Sequence, residues 1–394
     1  MLIFRPDRLL AVTATVARRL GARLWPVDTA KVSNRLLACL VLAGLGYACI
    51  ASAVGMIRGI NSFPELSSWR KFPARFEAFL NEHLPGRVSI LDANAKLRVE
   101  TLGISSAPRV WLGTGGMLFF DPRPELAAEF IGEQAEASAV EYWSELARKR
   151  QDWCTSRGIR FLTVIAPDKQ SVCTDHLPPA LRHRHGASIL DRIMSAWQRE
   201  PAVPVVDLRA DLRSARLTTE VYLQKDTHWS PYGTWLAYRE TVSAMKALVP
   251  TDPPADWNEL ELERSPTGSG DIWRLLGFSR PAAEEWHDCP TLHDRIARIV
   301  PERVEIPENQ RLSHRQAQVW TRRDGRGPRV ILFGDSFAGN LYQFLLAQNC
   351  SRLVSAPTYE MIELLIERER PDIVICEAVE RKLQHVRPDM PSVP

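Results

Sequence analysis

No C-x-x-C pair occurs in the chain, and its seven cysteines (Cys39, Cys49, Cys154, Cys173, Cys289, Cys350 and Cys376) lack zinc-like spacing. Cysteine-based zinc and dithiol motifs are therefore excluded. The odd count leaves at least one thiol without a partner in the chain, and spacing assigns no disulfide among the rest. A dominant charge is missing too. The 50 Lys and Arg against 47 Asp and Glu give a net +3, scattered rather than gathered into the basic stripe that nucleic acid requires. There is no internal repeat and no low-complexity tract. The glycines Gly113, Gly115 and Gly116 are followed by neither a helix pattern nor G-K-[ST], so they do not cradle phosphate. A second His/Asp cluster with metal-ligand spacing is absent as well, and no metal or other cofactor is expected.

The chain has 394 residues, 45% hydrophobic and 25% charged, an ordinary composition with ample length for a buried core. From Leu36 to Ile57 it carries no charged residue. As a helix this segment would span about 33 Å, enough for the hydrocarbon core of a bilayer. The alternatives are a buried soluble helix and a cleaved signal peptide. A signal core is shorter, roughly 7–15 residues, and its leader is shorter than the 35 residues found here. Arg5, Arg8, Arg18, Arg19, Arg23, Lys31 and Arg35 precede the segment against only Asp7 and Asp28. Positive charge is retained in the cytoplasm. The expectation is a basic cytoplasmic segment over 1–35, a single membrane anchor over 36–57, a helical linker over 58–105 and a domain outside the inner membrane over 106–390.

Within that domain, Arg109–Leu112 and Met117–Phe120 read as a hairpin, and Glu125 to Thr155 as a long helix with Trp143 and Trp153 on its apolar face. Arg160–Ala166 reads as a buried strand ending in Pro167-Asp168-Lys169. Helix 187–198, strand 203–208, a short helix 207–215 and helix 231–248 follow, the last with Ser230 as cap and Pro231 at its first position. Residues 251–325, rich in Pro, Asp, Glu and Arg, read as an insertion of little regular structure. Strands 329–333, 352–355 and 372–377 then alternate with helices 339–349 and 358–369. Such alternation implies right-handed crossovers and an α/β fold: a mostly parallel sheet with helices on both faces.

Two stretches carry chemistry. Arg329–Phe333 runs into Gly334-Asp335-Ser336, which sets Ser336 just beyond a strand end, where ligands bind in open α/β sheets. A helix N-cap is the competing role for that serine. About a hundred residues earlier stands Asp226-Thr227-His228-Trp229. Residues i and i+2 of an extended chain point the same way, so the Asp226 carboxylate can meet His228 Nδ1 and leave Nε2 for a serine hydroxyl. A surface loop or half of a metal site would use the same Asp-x-His pair.

Together these stretches resemble the alginate O-acetyltransferase family (AlgJ/AlgX type), whose fold is like that of SGNH hydrolases. Gly115–Phe119 is similar to that family's Gly-rich hairpin, Pro167-Asp168-Lys169 to its Pro-x-Lys, Gly270-Asp271 to its Gly-Asp-Leu, and Pro371–Arg381 to its last strand with Glu-Arg. The resemblance covers about residues 75–385 and implies an SGNH-hydrolase-like, flavodoxin-like fold with Ser336 as nucleophile, His228 as general base and Asp226 as its orienter. The Gly-x-Asn-Asp block that supplies oxyanion donors in ordinary SGNH hydrolases is not evident. Ser336's own N–H and the Gly270-Asp271 region are the candidates for that task. Trp229 and Trp235 could stack on sugar rings or belong to the core. Lys169 and Lys225 could attract an anionic polymer or stay solvated. The resemblance further implies a bacterial periplasmic domain, a polysaccharide acceptor and a membrane-bound O-acyltransferase (MBOAT) as acetyl relay. An acetyl esterase and a non-catalytic scaffold of an exopolysaccharide complex are the alternative readings.

Overall fold

The computed structural model describes residues 86–121, 133–182, 187–199, 203–267, 270–279, 285–291, 296–312 and 316–392. The expected basic segment 1–35, the apolar segment Leu36–Ile57 and most of 58–105 lie outside them. Among the described residues no helix is long and apolar enough to cross a membrane. By contact density the chain divides into Met1–Ile90 and Leu91–Pro394, and the strands and labelled helices named next belong to the second unit.

In chain order the strands are β1 (Val110–Leu112), β2 (Leu118–Phe120), β3 (Arg160–Ala166), β4 (Val205–Asp207), β5 (Leu262–Thr267), β6 (Glu285–Pro290), β7 (Ala297–Val300), β8 (Gln318–Arg322), β9 (Arg329–Phe333), β10 (Arg352–Ala356) and β11 (Ile373–Val379). The principal helices are α1 (Glu133–Thr155), α2 (Ile189–Arg199), α3 (Arg209–Ala215), α4 (Pro231–Lys246), α5 (Asp271–Leu275), α6 (Leu341–Ala347) and α7 (Glu363–Glu369). The main sheet runs β4-β3-β11-β9-β10-β8-β7. Its first five strands are parallel; β8 adds antiparallel to β10, and β7 antiparallel to β8.

Alternation along the strands sorts their side chains onto two faces. On β9, Val330 and Leu332 join one core with Leu236 of α4 and Tyr342 of α6. Ile331 and Phe333 join the other, with Leu146 of α1, Ile193 of α2 and Ile366 of α7. Strands buried on both faces read as continuous apolar runs, which is why β3, β9 and β11 were visible in the sequence. α4 begins as expected: Ser230 Oγ accepts from the Gly233 N–H at 3.1 Å, and Pro231 occupies the first turn.

Residues 251–325 are a correction. They were expected to be irregular, yet they supply β7 and β8 to the main sheet and form the β5–β6 hairpin. The sheet is consequently mixed. Edge strands bury less apolar surface, so their short, charged sequences, such as Ala-Arg-Ile-Val in β7, show little of the apolar run that marks a central strand.

The order places β9 centrally. The chain leaves β9 for β10 on one side and returns as β11 on the other. Loops diverge at such a reversal and leave a crevice beyond the carboxyl ends of the strands. The Gly334-Asp335-Ser336 turn sits at this point.

Candidate active site

Three fastenings shape the turn after β9. A Cβ on Gly334 would stand 2.6 Å from Ala338 Cβ and 2.7 Å from Glu377 Oε2, so only glycine fits. The Asp335 N–H donates to Glu377 Oε2 at 2.9 Å. The Asp335 carboxylate accepts from the Phe337 N–H at 2.8 Å, the Val379 N–H at 3.0 Å and the Tyr359 hydroxyl at 2.5 Å. Glu377 is 2% exposed; burial and the neighbouring Asp335 push its carboxyl well above the usual range. Ser336 is left exposed at the tip. It is not a helix cap: α6 starts five residues later, after Asn340 at φ 49°. Among the described residues the Ser336 backbone N–H has no protein partner.

The imidazole comes from a turn between two short paired segments. Tyr222 and Trp229 form an antiparallel bridge, with hydrogen bonds from Leu223 N to His228 O and from Ser230 N to Val221 O. Between them the chain folds back, because Asp226 Oδ1 accepts from the His228 N–H at 2.9 Å. The Asp–His meeting thus arises from an Asx turn and not from the extended backbone expected. The same Oδ1 lies 2.6 Å from His228 Nδ1, and His228 Nε2 lies 2.8 Å from Ser336 Oγ. Two residues 108 positions apart are in hydrogen-bond contact. Phe337 packs on the imidazole with ring centres 4.7 Å apart, which limits its tilt.

Asp226 Oδ2 accepts the Asp271 N–H at 2.9 Å. Burial opposes ionisation of Asp226, but the hydrogen bonds and charge of His228 and the Asp271 N–H outweigh it and hold the carboxyl well below its usual range. Asp271 in turn accepts from the Thr227 N–H at 2.7 Å and the Thr227 hydroxyl at 2.5 Å. Thr227 and Asp271 therefore brace the Asx turn. The role of Thr227 was missed in the sequence because its partner is 44 residues away.

Several expected substrate contacts are instead supports. Lys169 is 3% exposed, and its Nζ donates to Leu118 O at 2.8 Å and Gln224 O at 3.1 Å. It ties β2 to the segment leading into Asp226 and is not available to a polymer as a surface charge. Trp229 is 5% exposed, edge-on to Phe337 and stacked with Tyr342. Trp235 is equally buried, its Nε1 donating to Ala255 O. Both are rings of the core on the α4 face of the sheet. Gly270 and Asp271 lie behind the Asp226 carboxylate, with the imidazole between them and Ser336, and the Asp271 N–H is already spent on Asp226. They do not fit the oxyanion role. Gly270 is glycine for another reason: its φ is +70°, and a Cβ there would stand 2.2 Å from Lys225 O. Lys225 Nζ lies 5.5 Å from the centre of the Trp273 ring.

A buried ion pair stands beside the site. Arg381 Nη1 bonds Asp168 Oδ1 at 2.6 Å, and the guanidinium lies 5.3 Å from the Phe337 ring. Glu380 accepts the Asp168 N–H at 2.9 Å. The residues of the Pro-Asp-Lys and Glu-Arg stretches thus meet at the carboxyl ends of β3 and β11, behind the Ser336 turn. All five described cysteines, Cys154, Cys173, Cys289, Cys350 and Cys376, are free thiols.

Asp226, His228 and Asp271 could also be read as ligands, with atoms within 4.8 Å of one another. Asp226 is hydrogen-bonded through both carboxylate oxygens and Asp271 likewise, to donors of the protein itself. A cation would have to displace these bonds, and the donor set fits a braced Asp–His pair better. On the other side of Ser336 opens a cavity of about 770 Å³, lined in part by Asn340, Gln343, Gln318, Ser355 and Lys382.

A family model described as "SGNH hydrolase-like domain, acetyltransferase AlgX" matches residues 118–357, a span that includes both the Asp226–His228 turn and Ser336. The probable alginate O-acetylase AlgJ of Pseudomonas aeruginosa is 26% identical over 371 residues, which cover 86% of this chain and 90% of that protein. Its namesake in Pseudomonas putida is 29% identical over 155 residues, 38% of this chain and 37% of that protein. The solved O-acetyltransferase domain of Pseudomonas putida AlgJ aligns with a TM-score of 0.50 at 20% identity, over 73% of this chain and 96% of that domain, a likeness of fold. The family-model match spans more than half of the chain, and the chain belongs to the SGNH hydrolase-like acetyltransferase family of the AlgJ/AlgX type.

Proposed function

We propose that this protein transfers acetyl groups to hydroxyls of an extracellular or cell-envelope polysaccharide through an acetyl-serine at Ser336. The observation that carries the reading is the continuous line Asp226 Oδ1–His228 Nδ1, 2.6 Å, and His228 Nε2–Ser336 Oγ, 2.8 Å. A serine hydroxyl needs a base in contact and a group that fixes the base's tautomer. With Nδ1–H donating to Asp226, Nε2 is the free acceptor. Ser336 Oγ attacks the acetyl carbonyl of an ester donor while its proton passes to Nε2. The carbonyl oxygen gathers negative charge, and the Ser336 N–H, without a partner among the described residues, is the donor this reading assigns to it. Collapse expels the donor's alkoxide with the proton from Nε2. A sugar hydroxyl then gives its proton to Nε2 and attacks the acetyl-serine, and Ser336 recovers its proton as the ester product leaves.

The similarity to proteins named alginate O-acetylases supports a polysaccharide as acceptor. Exposure of Ser336 favours one second reading, an acetyl esterase in which water takes the acetyl group. Purified protein given a small activated acetyl ester, with and without oligosaccharide, separates them. Acetylated sugar, formed at the expense of free acetate, is the expected result. Acetate release unaffected by sugar would establish the esterase, and no release at all would sink both.

In the proposed arrangement Leu36–Ile57 anchors the protein in the bacterial inner membrane with the catalytic domain in the periplasm. Acetyl-CoA is cytoplasmic, so an MBOAT partner would relay the acetyl group outward. A tag at the carboxyl end should be digested by protease added to intact spheroplasts. Protection until lysis would overturn this orientation.

A further inference from the structure

We propose that the cavity beside Ser336 seats a sugar ring of the acceptor polymer, and that Gln343 and Gln318 form its hydroxyl-reading floor. The inference rests on the function proposed above and adds where, and by what chemistry, the acceptor binds.

The cavity, about 770 Å³, falls in the size range of small-molecule sites, roughly 300–1,000 Å³. Ser336 stands in its wall, so a ligand seated there meets the hydroxyl from the side away from the Asx turn. Gln343 comes from α6 and Gln318 from β8, and Gln343 Nε2 donates to Gln318 Oε1 at 2.6 Å. That bond uses one donor and one acceptor of the pair. Among the described residues, Gln343 Oε1 and Gln318 Nε2 have no protein partner, and neither do the Asn340 amide and the Ser355 hydroxyl. Gln343 and Ser355 are each only 8% exposed, yet the unpartnered Gln343 Oε1 and Ser355 Oγ are not among the atoms sealed from solvent. They therefore face the cavity. Polar groups this deep are ordinarily satisfied, and the hydroxyls of a ring seated in the cavity would supply partners in place of solvent.

The chemistry of the lining selects the ligand. Carboxamides and a hydroxyl each both donate and accept, as the neighbouring hydroxyls of a sugar ring do. The described charged residues of the lining are Asp335, whose carboxylate is committed to Phe337, Tyr359 and Val379, and Lys382, which is exposed at the rim. A neutral floor suits the hydroxyl face of a ring. The aromatic rings that might have stacked on it, Trp229 and Trp235, are buried elsewhere. The β8 strand, invisible as a strand in the sequence, is what brings Gln318 to the catalytic edge.

Gln343→Met and Gln318→Met keep volume and remove the carboxamides. Acetate release from a small activated ester should stay within about twofold of the parent, while transfer to oligosaccharide falls about tenfold or more through the acceptor KM. Parallel loss of both activities would mean the pair only props α6 against β8, and unchanged transfer would remove it from the site; either overturns the proposal. Binding provides a readout independent of the chemistry. In the Ser336→Ala background, calorimetry with an alginate oligosaccharide and with a cello-oligosaccharide should show binding of at least one, weakened about tenfold by Gln343→Met. Binding of neither, or binding indifferent to Gln343, overturns the acceptor seat even if acetyl release proceeds normally. Loss of acetyl release in the unmodified protein, with Gln343-dependent binding intact, would instead overturn the catalytic reading alone.

Discussion

Ser336→Ala should abolish acetyl transfer while leaving the protein folded. The expected loss in rate is on the order of 10³–10⁶, the range seen when the nucleophile of a serine–histidine–aspartate group is removed. At about 1.4 kcal/mol per tenfold, that is roughly 4–8 kcal/mol of transition-state stabilisation. Stability should change by no more than about 0.5 kcal/mol, because the side chain is exposed and its single protein bond is to His228. Mass spectrometry after brief exposure to an activated acetyl ester should find one added acetyl group on the parent protein and none on the variant. An adduct that persisted on the variant, or acceptor acetylation that survived, would place the nucleophile elsewhere.

Asp226→Asn should cost about as much as losing a tautomer-fixing aspartate elsewhere, roughly 10⁴-fold in transfer. The surroundings of this carboxylate explain why an amide cannot replace it. Oδ1 receives the His228 N–H and faces Nδ1, and Oδ2 receives the Asp271 N–H. Every neighbour is a donor, and asparagine has one oxygen. If that oxygen stays with His228, the NH₂ group opposes the Asp271 N–H. If it turns to Asp271, the NH₂ group meets Nδ1 and forces the ring proton onto Nε2, where Ser336 needs an acceptor. The same contacts set an acid dependence. Asp226 has a folded-state pKa below its unfolded value, so its contribution to stability is present above about pH 4 and is lost as pH falls further, toward the depressed folded value. Denaturant midpoints of parent and variant should therefore differ most near neutrality and converge in acid. A constant difference down to about pH 3 would mean the carboxylate is not held by these donors.

Much of the central architecture was legible in the chain because the parallel strands are buried on both faces. Arg160–Ala166 and Arg329–Phe333 match their strands end for end. The start of α4 could be read from Ser230 and Pro231, whose capping chemistry is local. The strands β7 and β8 could not, since they are held by pairing, β8 with β10 and β7 with β8, more than by their own apolar pattern. The functional residues divide similarly. Ser336 and the Asp226–His228 pair stood out by type and spacing. Thr227, Glu377 and Gln318 did not, and Asp271 stood out for a different task, because each acts through a partner far along the chain. Trp229 and Lys169 misled for the complementary reason: a tryptophan or lysine beside a site looks the same in sequence whether it faces solvent or, as here, the interior.

What residue order alone could settle were features governed by neighbours a few positions apart: which runs become buried strands, where a helix is capped, and where only glycine permits a turn. The fold settled which ends of those elements meet. The contact between His228 and Ser336 depends on β9 lying between β11 and β10, and no local pattern encodes that order. It follows from packing both faces of one sheet with helices at once, a condition the chain satisfies only as a whole.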